Sequence, residues 1–167
     1  HRTMAHNPWY DVVIFPVEGG PGERVVRIEG PTLSTRSQFA RPSFGPNGRI
    51  YYPKMGLNRS DSTLLISVAR DGTDPREHIM LPFADEIVIS PDGRHAVFNE
   101  GDNVYLVPTP SVTVASGAIR INKKQGQLPV RQLSTAGGIF PNWRDANTVE
   151  FGSGASYYTH SITTETT

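Results

Sequence analysis

The sequence predicts an all-β protein, for three reasons. The 16 glycines and 14 prolines are spread along the whole 167-residue chain, so few windows can hold an uninterrupted helix. The longest stretch free of both, residues 57–71, has an apolar centre at 64–68 that lacks helical spacing. Short apolar runs separated by turn residues recur along the chain, which is typical of antiparallel strands.

The clearest hairpin signal is residues 86–98, Glu-Ile-Val-Ile-Ser-Pro-Asp-Gly-Arg-His-Ala-Val-Phe. Pro91 presets φ at the corner of a turn, and Gly93 can adopt the positive φ that closes it. The flanking Ile-Val-Ile and Ala-Val-Phe runs suit buried strands. The rest of the chain is interpreted as imperfect copies of this unit.

The first element in chain order is a predicted hairpin. Its strands cover residues 11–17 and 24–28, and the turn Glu-Gly-Gly-Pro-Gly joins them. Residues 1–8 are polar and unpatterned, and are predicted to be a disordered or tag-like end. The polar link 30–40 is predicted to cross between sheets.

Three sets of strands follow, separated by turns rich in Gly, Pro, Asn or Asp. The first set is predicted at residues 41–44, 49–52, 63–68 and 77–81, with a loop at 53–62. The second is predicted at 86–89, 96–98, 103–107 and 130–133. The third is predicted at 138–143, 148–151 and 156–162, followed by a polar tail at 163–167. Residues 9–162 are thus the predicted folded region.

The segment least like the repeats is the insertion 108–128 in the second set. Its Ala-Ile-Arg-Ile run, 118–121, is predicted to be an extra strand. The length of the insertion suits a partner contact or a lid.

The turns repeat at similar intervals. Residues 44–48, Phe-Gly-Pro-Asn-Gly, superpose on 89–93, Ile-Ser-Pro-Asp-Gly, 45 positions later, and Ile89 superposes on Trp143 54 positions later. A period of roughly 40 to 50 residues with four short strands is typical of β-propeller blades. The alternative is an antiparallel sandwich with hairpins that look alike.

The run Ser-Pro-Asp-Gly-Arg-His-Ala-Val-Phe at 90–98, followed by Asn-Val-Tyr-Leu-Val at 103–107, resembles the repeats of TolB-like and dipeptidyl-peptidase-like propellers. Residues 131–143 are similar to the junction between two such blades. The segments 70–74, 84–88 and 98–100 are most similar to the propeller that precedes a metal-dependent amidohydrolase barrel in larger bacterial proteins. The resemblance covers roughly residues 10–160. Because 144–147, Arg-Asp-Ala-Asn, replaces Ser-Pro-Asp-Gly, a looser third turn is predicted.

The resemblance implies a partial propeller of about three four-stranded antiparallel blades if the C-terminal strands pair with the N-terminal hairpin. Such a chain would be half of a six-bladed ring, with unpaired edges and an exposed apolar blade face that invite association. The expected partners are a second copy or the missing part of a parent protein, since the chain starts with His rather than Met. Many propellers of this kind are exported, so the resemblance points to the periplasm or the exterior.

Composition excludes several function classes. The 16 Lys and Arg residues balance the 16 Asp and Glu residues, so no overall field favours nucleic acid or an anionic membrane. The chain has no Cys, which excludes disulfides and thiolate chemistry. No apolar run approaches the roughly 18 residues of a membrane span, and the N-terminus lacks a signal-peptide pattern.

No catalytic, cofactor-binding or metal-binding residue is predicted. The histidines lie at positions 1, 6, 78, 95 and 160, with no two spaced by two or four residues. The His-x-His pair of the amidohydrolase barrel is therefore absent, and its metal site cannot be transferred. A zinc site built from distant histidines has no sequence support. Asp71, Asp74 and Asp92 are expected to cap turns rather than bind calcium.

Other motifs have structural explanations. Residues 152–156, Gly-Ser-Gly-Ala-Ser, lack the spacing of a nucleophile elbow, and the glycines at 19–22 lack the lysine of a phosphate loop, so both are predicted turns. His95 is expected to be a structural or surface residue. Phe98, Tyr105 and Trp143 are expected to pack the blades. Asn58-Arg-Ser formally matches a glycosylation sequon.

Two functions remain open. The first is a non-catalytic propeller module for protein interaction or assembly. The second, which rests on the resemblance, is part of a metal-dependent amidohydrolase-type hydrolase whose catalytic barrel is absent from this chain.

Overall fold

The computed structural model describes residues 9–29, 41–55, 62–110, 117–124, 126 and 128–163. These residues form β-strands and one short 3-10 turn, Pro46–Gly48, and contain no α-helix. In these residues, no helix is long and apolar enough to cross a membrane. The strands are β1 (Trp9–Ile14), β2 (Glu23–Glu29), β3 (Ser43–Phe44), β4 (Ile50–Met55), β5 (Thr63–Val68), β6 (Arg76–Leu81), β7 (Ala84–Ile89), β8 (His95–Glu100), β9 (Asn103–Pro108), β10 (Ile119–Arg120), β11 (Arg131–Gln132), β12 (Ile139–Asp145), β13 (Thr148–Ser153) and β14 (Ser156–Ser161).

The strands form four small sheets. The first sheet is the hairpin β1-β2, and the second has the order β10-β6-β5-β4-β3. The third sheet has the order β11-β9-β8-β7, and the fourth is β12-β13-β14. Neighbouring strands are antiparallel, except that β10 pairs with β6 in parallel. The prediction of an all-β fold is confirmed.

The sheets pack face to face in chain order through three apolar clusters. Val12 and Val25 of the first sheet lie against Ile50 and Val68 of the second. Another cluster joins the second sheet to the third, and a further one joins the third to the fourth. Phe98 is completely buried between the second and third sheets, while the adjacent Val97 faces the fourth. This alternation shows why the strands of the third sheet are apolar at consecutive positions: both faces are covered.

Polar side chains also connect neighbouring sheets. The Thr63 hydroxyl donates to the carbonyl of Ala84, which joins the second sheet to the third. Trp143 Nε1 donates to the carbonyl of Val88 at 3.0 Å, which joins the fourth sheet to β7. Because β7 is an edge strand of its sheet, this carbonyl can bond to the neighbouring sheet.

Arg41, just before β3, connects three sheets. Its guanidinium lies 2.6 Å from a carboxylate oxygen of Glu86 on β7 and donates to the carbonyl of Pro141 on β12 at 2.8 Å. It also lies over the ring of Phe140, 5.8 Å from the ring centroid. Burial raises the pKa of Glu86, and the charge and hydrogen bond of Arg41 oppose that rise. The buried carboxylate is therefore neutralised by a partner from another sheet.

Most predicted strands are confirmed, with shifted ends. The strand predicted at 63–68 has the predicted bounds, and the extra strand predicted in the insertion is β10. The predicted loop 53–62 begins too early, because β4 continues through Pro53 to Met55. Proline is tolerated there because β3 pairs only with Ile50 and Tyr51, which leaves that side of β4 unpaired from Tyr52 on.

Two architectural predictions are wrong. The third turn is tighter, not looser, because Asp145 pairs directly with Thr148 and its side chain accepts a hydrogen bond from the backbone N–H of Asn147 at 2.7 Å. The C-terminal strands do not pair with the N-terminal hairpin in the described part of the chain. Four sheets with two, five, four and three strands replace the predicted three four-stranded blades, because the terminal sheets pack through their faces rather than their edges.

The predicted ends of the folded region can be only partly compared with the structure. Residues 1–8, the whole link 30–40, and residues 164–167 of the tail lie outside the described residues. The Asn58 sequon also lies outside them.

Candidate interaction site

Among the described residues, Ser67 and His78 come nearest to a catalytic nucleophile and its base. Ser67 Oγ lies 2.7 Å from His78 Nε2 and accepts a hydrogen bond from Arg49 Nε at 3.0 Å. Ser67 is completely buried, and both neighbours engage its hydroxyl, so a substrate cannot reach it. The arrangement connects Arg49, just before β4, with β5 and β6 and has a structural role. The sequence did not indicate it, because 11 positions separate Ser67 from His78 and only the strand pairing brings them together.

The same network holds His78 in its neutral form. Desolvation, followed by the charges of Arg49 and Arg76, lowers the pKa of His78 from 6.5 to about 4. Ser67 Oγ, which accepts from Arg49, also lies within hydrogen-bond distance of Nε2 of this neutral imidazole. The uncharged imidazole therefore fits its surroundings, and the imidazolium does not.

The predicted turn-capping aspartates behave in two ways. Asp71 Oδ1 accepts hydrogen bonds from the backbone and hydroxyl of Thr73, at 3.0 and 2.6 Å, as predicted. Asp92 caps the Ser-Pro-Asp-Gly turn in the same manner. Asp74 differs, because its carboxylate binds two guanidinium groups, and the hydrogen bond from Arg76 leads the lowering of its pKa. The described part of the chain contains no group of three or more His, Asp or Glu residues placed to hold a metal ion.

The predicted packing residues and turns lie where the sequence indicated. Phe98 is completely buried and stacks on Tyr105 with ring centroids 5.4 Å apart, and Trp143 is buried between the third and fourth sheets. His95 begins β8 with its ring 6.5 Å from that of Trp143, and desolvation lowers its pKa. Gly154, at φ 58°, forms the turn between β13 and β14. Residues 19–22 lie in the connection between β1 and β2, as the sequence predicted.

An apolar groove lies between the first and second sheets, beside the tip of the first hairpin. It has a volume of about 680 Å³ and is bounded by β1 and the following turn on one side and by β3 on the other. Phe15 and Phe44 are 66% and 60% exposed at its rim, and Val17 is fully exposed. Exposed aromatic and aliphatic side chains that line one groove mark an interaction surface more strongly than scattered ones do.

Charged residues are sparse at this groove. Glu18 and Glu23 are on one of its walls, and Arg70 of the β5–β6 turn completes the lining. None of the three forms an ion pair with another described residue. The groove therefore combines an apolar floor with a slightly acidic rim.

Unpaired strand edges accompany the groove. β1 pairs only with β2, and β3 pairs only with β4, so both border the groove with one free edge. At the other end of the row of sheets, β14 pairs only with β13. Free edges present backbone N–H and C=O groups that another strand can pair with. The described strands thus offer open edges at both ends of the row.

At the two ends, where an exposed apolar blade face was predicted, exposed rings such as those of Trp9 and Tyr157 lie among polar side chains. On the outer face of the fourth sheet, Glu150 pairs across the strands with Thr159, and Thr148 with Ser161. Arg144 forms an ion pair with Glu150 at 2.5 Å.

The outer face of the first sheet is mixed as well. Arg27 binds Asp11 through two hydrogen bonds, at 2.9 and 3.1 Å, and lies 3.8 Å over the ring of Trp9. The hydrogen bond from Arg27 lowers the pKa of Asp11. Both outer faces therefore carry charged groups that a stacked sheet would have to desolvate, and both end sheets also have open edges.

Comparison with known proteins finds no matching family model, curated protein or solved structure.

Proposed function

We propose that this chain is a non-catalytic assembly module, built from propeller-type blades, which associates with a second copy through the strand edges at the ends of its row of sheets. The observation that carries the proposal is the combination of free edges with charged groups on the outer faces at both ends. A further sheet stacked on either end would desolvate ion pairs such as Arg27–Asp11, whereas a strand added to an edge would satisfy open backbone groups.

The repeated turns support the propeller interpretation. Gly93 in the turn of the third sheet lies against Pro46 in the corresponding turn of the second, and a Cβ at Gly93 would lie 2.4 Å from the Pro46 ring. Equivalent turns on successive sheets thus touch, as they would in neighbouring blades. An incomplete ring leaves its first and last sheets with only one packed face each. The sheets that contain β1 and β14 are in this situation.

Exposed, unpaired strands also favour association on general grounds. A two-stranded hairpin such as β1-β2 is marginally stable by itself, and the first sheet has only one packed face. Natural edge strands that must stay unpaired are usually short or carry lysine. β14 has six residues, Ser-Tyr-Tyr-Thr-His-Ser, and no lysine. This edge lacks the common protections against pairing.

Light scattering coupled to size exclusion tests the proposal. We expect a mass near twice the 18.3 kDa of the chain. Thr159→Lys places a charge on the free strand and should return the protein to monomer. Ala155→Lys adds the same charge in the β13–β14 turn and should leave the dimer intact. A folded monomer for the wild-type chain would refute the proposal.

A further inference from the structure

We infer that the groove between β1 and β3 receives the β14 strand of a second copy of this chain, with Tyr157 as its anchor. This inference rests on the proposed function and specifies the surface that carries it. The occupant has to be an extended segment, because the groove is bounded on both sides by strands with free edges. β1 and β14 each have six residues, so one can pair with the other along its full length.

The chemistry of β14 suits the groove. Tyr157 is 64% exposed on the outer face of the fourth sheet, where nearby Glu150 raises the pKa of its hydroxyl, while its ring remains open to solvent. Phe15 and Phe44, with the prolines nearby, would give that ring an apolar site, and tyrosine buries such area with little loss of side-chain freedom.

Charge does not oppose the contact. β14 carries no acidic side chain, so Glu18 and Glu23 at the rim of the groove meet no like charge from it. An acidic strand would be repelled by these two carboxylates. The neutral sequence of β14 is therefore compatible with this edge of the groove.

The size of the contact matches a stable dimer. If β14 of each copy enters the groove of the other, the interface is two-fold symmetric, and each copy contributes one strand and one groove. Six residues of β14 and fourteen lining residues then place about twenty residues of each copy in the interface. This number is at the lower end of the roughly 20 to 30 residues per side of standard interfaces.

Sedimentation over a range of protein concentrations tests the inference with matched phenylalanine variants. Phe44→Ser should raise the dimer dissociation constant at least about tenfold, as expected for the loss of a buried aromatic contact. Phe83→Ser removes an equally exposed ring, 69% accessible, that is not part of the groove, and should leave the constant unchanged.

A double-variant cycle identifies the partner residue. If the ring of Tyr157 contacts Phe44 of the other copy, Tyr157→Ser should weaken the dimer as well, and the two changes together should be less than additive. A dimer that is insensitive to Phe44→Ser, or additive effects, would overturn the inference but leave the assembly proposal intact. A monomeric wild-type chain would overturn both. Circular dichroism at the concentrations used confirms that each variant is folded.

Discussion

Protonation of His78 should make the folded chain less stable in mild acid. The imidazole is half-buried, lies within hydrogen-bond distance of Ser67 Oγ and has Arg49 and Arg76 nearby. Burial and these two positive charges lower its pKa to about 4. In the unfolded chain, the pKa of this histidine returns to about 6.5. The unfolded state therefore binds more protons than the folded state at pH values between about 4 and 6.5. Stability is fully present above pH 6.5 and is lost as the pH falls towards 4.

The magnitude follows from the difference between the two pKa values. A fall in the pKa from 6.5 to about 4 corresponds to about 3 kcal/mol of unfolding free energy if the imidazole is fully shielded from solvent. Because the ring is only half-buried, solvent screening reduces this figure, and we expect about 1 to 2 kcal/mol.

Urea unfolding at several pH values between 7 and 4.5 measures this loss. His78→Gln keeps an acceptor for Ser67 but cannot be protonated, so its stability should depend less steeply on pH than that of the wild-type chain. Stopping at pH 4.5 avoids most of the titration of aspartates, whose ordinary pKa is near 4. Parallel curves for the wild-type chain and His78→Gln would refute the reasoning.

Two further substitutions test how the sheets pack. In urea unfolding, Gly72→Ala should destabilise the protein by at least about 2 kcal/mol more than Gly48→Ala. A Cβ at Gly72 would lie 2.0 Å from a backbone carbonyl of β2, whereas Gly48 has open space around it. Both glycines have positive φ, so the backbone cost is shared, and equal losses would contradict the packing of the first sheet on the second. Trp143→Phe should cost about 1 to 3 kcal/mol, because it leaves the buried carbonyl of Val88 without its donor. The same change at the exposed Trp9 should cost less, and a similar cost at both sites would argue against the inter-sheet hydrogen bond.

Turn chemistry and apolar runs predicted most of the strands. The stretch 86–98 folds as the hairpin β7-β8, because Pro91 and Gly93 supply the backbone angles that the turn requires. Consecutive apolar residues indicated strands buried on both faces, and the third sheet has that property. These local signals do not depend on the remainder of the fold.

The assembly of strands into sheets was less predictable. Pairing between the chain ends was expected because it would close a blade, yet the hairpin β1-β2 packs through Val12, Val25 and Ile28 onto the second sheet instead. The strand patterns are compatible with either arrangement, since both bury the same side chains. Long-range packing decides between them, and single-strand patterns carry no such information.

The candidate site was hardest to predict for the same reason. The groove combines residues from β1, the following turn, β3 and Arg70, none of which forms a motif along the chain. The Ser67–His78 contact likewise depends on the register of β5 and β6. Exposed Phe15 and Phe44 were visible in the sequence only as ordinary strand residues. Sequence alone does not distinguish a buried phenylalanine from one at the rim of a groove.

Hydrogen exchange of β14, followed by mass spectrometry over a range of protein concentrations, tests the central claim most directly. The edges of β1 and β14 are free within the described chain, so many of their backbone N–H groups should exchange quickly in the monomer. If copies associate through these edges, peptides that cover β1 and β14 should become protected as the concentration rises, while those covering β8 should stay unchanged. Concentration-independent exchange of both edge strands would contradict assembly through strand pairing.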